Sequence, residues 1–197
     1  MIADVYAIIV YRNRVDWKRL IELFPWILVG LGIGYFTLMT IEEKHLKMLV
    51  GFMLLLFITF IIFKRSRPSQ DLNLTNDKHS LVTISFGIFG GFSTTVANAG
   101  GEVMSIYLLL QRFPKTLFVG TVAYFFFFLN WLKFPLYWQL GLLNIEMLKI
   151  TLCLSLFIVL GAFIGQHILP RIKQEKFNQF ILFLSFLGAI HLFLTFG

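Results

Sequence analysis

Two glycine pairs, Gly90-Gly91 and Gly100-Gly101, stand on either side of the polar stretch FSTTVAN, and no other part of the chain is better equipped for chemistry. Glycine weakens a helix interior by roughly 1 kcal/mol relative to alanine. A polar, glycine-rich centre inside the apolar run from Leu81 to Leu110 therefore predicts a broken helix. At membrane depth such backbone is tolerated only where protein buries it or a watery cavity reaches it. Asn98 suits the cap of a new helix starting near Ala99, which leaves the N–H groups of Gly100, Gly101 and Glu102 ahead of the first internal bond. Those donors and the helix dipole suit an anion. Ser93, Thr94 and Thr95 add hydroxyls, which can bind a ligand or satisfy the backbone of their own helix. The plainer alternative is a continuous helix whose glycines serve tight packing.

Glu102 sits in the first turn of that second helix. A carboxylate there repels an anion unless it is protonated or paired, so Glu102 either carries a coupling proton or marks a changed or lost substrate. Near an interface it would simply be solvated. Asn130 and Lys133, in FFFFLNWLKFPLYW, lie three apart and share a helix face. Lys133 can offer positive charge to an anion or pair with Glu102; equally, Pro135, Tyr137 and Trp138 point to an interface towards which its long side chain can snorkel. Asp4 is a second proton-coupling candidate if its stretch lies within a helix facing a cavity. His167 and His191 have no neighbouring ligand in sequence, and Cys153 is the one cysteine, so neither a metal site nor a disulfide framework is expected. Hydrolase, metalloprotease and nucleotide-binding signatures are missing, and neither an enzyme nor a cofactor is expected.

The elements that must position these residues are apolar helices. Charged residues make up 14% of the 197 residues, against about 25% in a soluble domain. Phe24 to Ile41 and Met48 to Phe63 carry no charge, and Phe177 to Gly197 carries only His191. Runs of this length read as membrane-spanning helices, and they do not alternate as barrel strands would. A partial helix at 2–11 and helices near 20–41, 46–63, 116–138, 147–169 and 177–196 flank the broken stretch 81–110. Trp17, Trp26, Tyr137 and Trp138 fall near helix ends, where interfacial aromatics belong. The net charge of +7 is spread over short clusters between apolar runs. That is how orientation signals are placed, and it argues against nucleic acid as a partner.

The chain also repeats itself. WILVGLGIGYFTLMTIEEKHLKMLVGFMLLL resembles FIVLGAFIGQHILPRIKQEKFNQFILFLSFL, with Gly30 and Gly34 matching Gly161 and Gly165 at an offset of 131. On this alignment Asn130 falls near the position of Asp4. Residues 1–63 form a first repeat, 64–80 a polar cytoplasmic linker, and 81–197 a second repeat. Against the second, the first lacks roughly 45 residues at its N-terminal end, so the sequence is expected to be a fragment, a mis-started reading frame or a half-degenerate version of a longer plan. If 81–110 folds back as a hairpin, the loops at 11–19, 64–79, 111–116 and 170–177 share one side and hold thirteen Lys and Arg against three. The positive-inside rule prefers that arrangement, and it makes the repeats inverted.

The stretch from Gly90 to Asn144, GGFSTTVANAGGEVMSIYLLLQRFPKTLFVGTVAYFFFFLNWLKFPLYWQLGLLN, resembles the second repeat of the sulfite exporter TauE/SafE family of membrane permeases. ADVYAIIVYRNRVDWKRLIELFPWILVGLGIGYF, from Ala3 to Phe36, resembles the end of that family's first repeat. The resemblance implies a bacterial inner-membrane permease moving sulfite, an organosulfonate or a related small anion. It implies too that a glycine-rich segment normally opens the first repeat. Related members often have proline where this chain has Glu102. Proline and glutamate both suit a first helical turn, so the change bears on function rather than fold.

The expected protein is thus all-α, a polytopic transmembrane helix bundle in the cell membrane with two inverted repeats, the first lacking its N-terminal part. Its partners are the lipid bilayer and a small anionic substrate, and a homo-oligomer is compatible with this plan. The site is expected at Ser93, Thr94, Thr95, Asn98, Gly100 and Gly101, with Asn130 and Lys133 from the next helix and Glu102 and Asp4 as proton carriers. The competing expectation is a non-transporting membrane subunit, or a truncated remnant that needs a partner.

Overall fold

The computed structural model describes residues 2–65, 81–139 and 145–196. Most of the expected linker 64–80 lies outside the described residues, as do the side chains of Tyr137 and Trp138. Every element among the described residues is helical: α1 (Ile2–Tyr11), α2 (Trp17–Thr40), α3 (Glu43–Arg65), α4 (Leu81–Ala97), α5 (Gly100–Leu110), α6 (Lys115–Gln139), α7 (Ile145–Ile168) and α8 (Gln174–Phe196). A short 3-10 turn, Leu169–Arg171, follows α7. Among the described residues, four helical stretches are long and apolar enough to cross a membrane: Trp17–Thr40, Lys115–Pro135, Lys149–Arg171 and Gln174–Leu194. The chain is a multi-pass, all-helical membrane protein. Its exposed surface is correspondingly greasy, with Phe36, Phe157, Phe180 and Leu194 among the most exposed side chains.

The helices divide into two compact units. One comprises residues 1–16 and 114–174, and so holds α1, α6 and α7; the other comprises 17–113 and 175–197, holding α2 to α5 and nearly all of α8.

In the larger unit, α2 and α4 cross with their backbones nearly touching. A Cβ built on Gly30 would lie 2.0 Å from the carbonyl oxygen of Ile88, and one on Gly91 would lie 2.1 Å from that of Ile27. Gly34 meets Thr95, and Gly87 meets Trp26. Small residues at such positions let helices gain dispersion contacts in lipid, where the hydrophobic effect gives no attraction between helices. The Gly-xxx-Gly pair of α7 differs: a Cβ on Gly161 or Gly165 would have nothing described within 4 Å.

Within the same unit α4 and α5 fold back on each other. Thr83 and Phe86 pack on Tyr107, Gly90 lies beside Val103, and Gly100 lies beside Thr94, a register that descends on α4 as it ascends on α5. The rings of Phe57, Phe86, Phe89 and Tyr107 fill the space between α3, α4 and α5. The hydroxyls of Thr83 and Tyr107 lie 3.2 Å apart and are both buried. Removing one partner of a buried hydrogen bond costs about 1–3 kcal/mol. Tyr107→Phe is therefore expected to lower the unfolding temperature of the purified protein while leaving its helix content unchanged.

In the smaller unit polar contacts tie α1 and the segment after it to α7 and α6, and the start of α6 to the residues after α7. The Tyr6 hydroxyl donates to Gln166 Oε1 at 2.8 Å, and the Asp16 N–H donates to the buried Thr121 Oγ1 at 3.1 Å. Lys115 donates its N–H to Gln174 Oε1 at 2.8 Å and its Nζ to the Pro170 carbonyl at 3.0 Å. Gly120 leaves room for the carbonyl of Arg14, which a Cβ would approach to 1.9 Å.

Candidate functional site

The break expected near Ala99 lies between α4 and α5, at Asn98 and Ala99. Its geometry corrects one expectation. Asn98 does not cap α5: it takes a left-handed conformation, with φ 52°, just beyond the end of α4. Ala99 occupies the cap position and makes no side-chain cap bond. Asparagine tolerates this backbone region better than most residues, which is why the turn can form here. The Ala99 N–H then bonds back to the Ser93 carbonyl at 3.1 Å, closing the end of α4.

The first N–H groups of α5 lie ahead of its internal bonds, and that of Glu102 is met by its own carboxylate. Val103 donates to the Ala99 carbonyl at 3.4 Å, so Gly100, Gly101 and Glu102 precede the first internal bond. Gly100 is buried against Thr94, where a Cβ would lie 2.7 Å from the threonine Cβ and 2.9 Å from Oγ1. Glycine is required there for α5 to start so close to α4. Ser93 and Thr94 are buried, at 0% and 1% exposure. Ser93 donates its hydroxyl to the Gly90 carbonyl at 3.2 Å, and Thr95 donates to that of Gly91 at 3.0 Å. Those two protons serve the helix, which leaves these hydroxyls only lone pairs to offer. An anion needs donors, so the start of α5 is the better anion-binding group of the segment.

Glu102 is half-buried in the first turn of α5, and its carboxyl lies against α8. A Cβ on Gly188 would come within 3.2 Å of Glu102 Oε1 and 3.6 Å of Cγ. Gly188 carries no signal in the sequence: it sits 86 positions later in an apolar helix with no motif around it. Only its helix-weakening residue type sets it apart from its neighbours.

Asp4, Asn130 and Lys133 belong to the smaller unit. Asn130 Nδ2 on α6 donates to Asp4 Oδ2 on α1 at 2.8 Å. The expected repeat places these two positions near each other once a few inserted residues are allowed for. Lys133, one turn further along α6, is buried, at 5% exposure. Its backbone position near an expected interface does not bring its side chain out. The candidate residues thus form two polar groups, one in each unit: Ser93 to Glu102 in the larger, and Asp4, Asn130 and Lys133 in the smaller. Among the described residues no group of three or more His, Cys, Asp or Glu is placed to hold a metal ion.

Buried polar side chains among apolar helices, together with a helix interrupted at a polar centre, are an arrangement that membrane transport proteins use. The model of the sulfite exporter TauE/SafE family matches residues 1–192, essentially the whole chain, and the protein belongs to that family. Comparison with curated proteins and with solved structures gives no match.

Proposed function

We propose that the protein is a secondary transporter of the cell membrane that moves a small anion, such as sulfite or an organosulfonate, by alternating access. The observation that carries this reading is the interruption between α4 and α5. It leaves the N–H groups of Gly100, Gly101 and Glu102 at a helix start beside buried Ser93 and Thr94, in a chain of the TauE/SafE family. A half-helix start of this kind attracts an anion through oriented donors and the helix dipole, with no cationic side chain needed. Asn130 and Lys133 supply the polar group of the other unit, held in place by the bond from Asn130 to Asp4. That residues close to equivalent positions on α1 and α6 meet is in keeping with two inverted repeats, since equivalent positions near a two-fold axis approach each other. The charge distribution supports cytoplasmic loops at 11–19, 64–79, 111–116 and 170–177.

Glu102 stands where negative charge opposes anion binding, and a proton taken up there removes the conflict. Proton and anion would then move together, with the gradient supplying direction. Proteoliposomes loaded with labelled sulfite or with several sulfonates are expected to show flux that depends on pH. Flux with none of these anions, from a preparation that elutes as a single folded species, would overturn the permease reading in favour of a non-transporting subunit. Glu102→Gln is expected to flatten the pH dependence, and an unchanged profile removes Glu102 from the mechanism.

A further inference from the structure

Glycine in the middle of α8 costs roughly 1 kcal/mol relative to alanine in a helix interior, and Gly188 carries that cost in a helix otherwise built of large apolar residues. What occupies the vacant side-chain position is the Glu102 carboxyl, with Oε1, Cγ and Cδ at 3.2, 3.6 and 3.8 Å from the place a Cβ would take. α8 is not free to retreat from this contact. One residue further on it is held to α3, where a Cβ on Gly51 would meet the Phe193 nitrogen at 2.8 Å and the Ala189 carbonyl at 3.0 Å. Ala189 is fully buried, and Ser185, one turn before Gly188, is 4% exposed. We propose that Gly188 is a positioning residue for Glu102: its missing side chain makes a seat on α8 that fixes the carboxyl and, through it, the pH at which the transport site changes protonation state. The functional half of this statement rests on the reading of Glu102 as proton carrier.

The surroundings leave few other groups that could set this titration. α4 carries no ionisable side chain, and α5 carries only Glu102 and Tyr107, whose hydroxyl is engaged with Thr83. On α3 the ionisable residues lie at the two ends, Glu43, Lys44, His45 and Lys47 at one and Lys64 and Arg65 at the other. On α8 they are Glu175 and Lys176 at its start and His191 three residues beyond Gly188. His191 is therefore the group to control for.

The test uses the full chain in lipid nanodiscs and follows the carboxylic C=O stretch by infrared difference spectroscopy across pH, the Glu102 band being the one lost in Glu102→Gln. Gly188→Ala places a methyl against the mobile end of a side chain, so the fold is expected to accommodate it. The Glu102 midpoint is expected to move by about half a pH unit or more, and the pH profile of flux to move with it. Glu102→Asp, which withdraws the carboxyl from the seat by one methylene, is expected to move the midpoint as well and does not depend on Gly188→Ala folding. His191→Gln is expected to leave the midpoint in place. A midpoint unchanged in Gly188→Ala, with a Glu102→Asp shift no larger than the roughly 0.4 unit by which aspartate and glutamate differ intrinsically, overturns the seat, as does a midpoint that moves equally in His191→Gln. A moved infrared midpoint in protein whose flux shows no pH dependence keeps the seat and overturns only the proton role of Glu102.

Discussion

Gly91→Ala is expected to abolish assembly of the larger unit, whereas Gly32→Ala and Gly161→Ala are expected to be neutral or slightly stabilising. In a helix taken alone each change is favourable, by roughly 1 kcal/mol. At Gly91 the added carbon would stand 2.1 Å from the Ile27 carbonyl oxygen and 2.8 Å from the Leu31 nitrogen. Both are backbone atoms, so no side chain can rotate away and the two helices must separate. Overpacking by a methylene or two typically costs about 1–3 kcal/mol when side chains can adjust, and more when they cannot. Separation of α2 from α4 also forfeits the contacts of Gly30, Gly34 and Gly87 together, because all four glycines serve one crossing. Gly32 and Gly161 have nothing described within 4 Å. Size-exclusion profiles and thermal unfolding of the purified variants check the contrast. A Gly91→Ala protein as stable as the parent would show that the crossing is looser than described.

The second large effect is expected at Asn130. Its Nδ2 bond to Asp4 Oδ2 joins α1 to α6, and both residues are half-buried. Asn130→Leu keeps the bulk and withdraws a donor from a half-buried carboxyl, a loss of about 1–3 kcal/mol. Asp4→Leu alone leaves the amide without that acceptor and should cost a similar amount. The double variant removes both ends of the bond, so it should fall short of the sum by about 0.5–3 kcal/mol. Unfolding temperatures of the four proteins measure this coupling. Strict additivity would show that the bond contributes nothing. Flux is expected to fall in both single variants, since Lys133 is presented from the same stretch of α6.

Much of the helical framework could be read from the residues. The charge-free runs are long enough that membrane-spanning helices are the one way to satisfy their backbones, and the paired glycines around FSTTVAN mark the break to within a residue or two. The roles at the break were less legible. Asparagine is favoured both as a helix cap and in the left-handed turn that ends a helix, and local sequence does not separate the two. Here the turn wins because α5 must start immediately, against Thr94, and leaves no extended residue for a cap. Packing partners were hidden for another reason. Gly30-xxx-Gly34 and Gly161-xxx-Gly165 are the same motif, yet the first is filled by α4 and the second has no described neighbour within 4 Å. A motif states that a helix can be approached, not what approaches it. Gly188 was invisible because its meaning depends on a carboxyl 86 residues away.

The crossing of α2 and α4 also sets an order on how the protein is made. Gly91 follows Gly30 by 61 residues, with the whole of α3 between them. At synthesis rates of about 5–20 residues per second, α2 waits roughly 3–12 s before its partner leaves the ribosome. Throughout that interval its glycine groove is open to lipid or to the insertion machinery, and α3 must already be placed without obstructing it. An alanine at Gly30 or Gly91 therefore yields helices that enter the membrane normally and fail afterwards, when they try to pair. Quality control would meet such a variant as an integrated but unassembled chain, a different target from one that never left the cytosol.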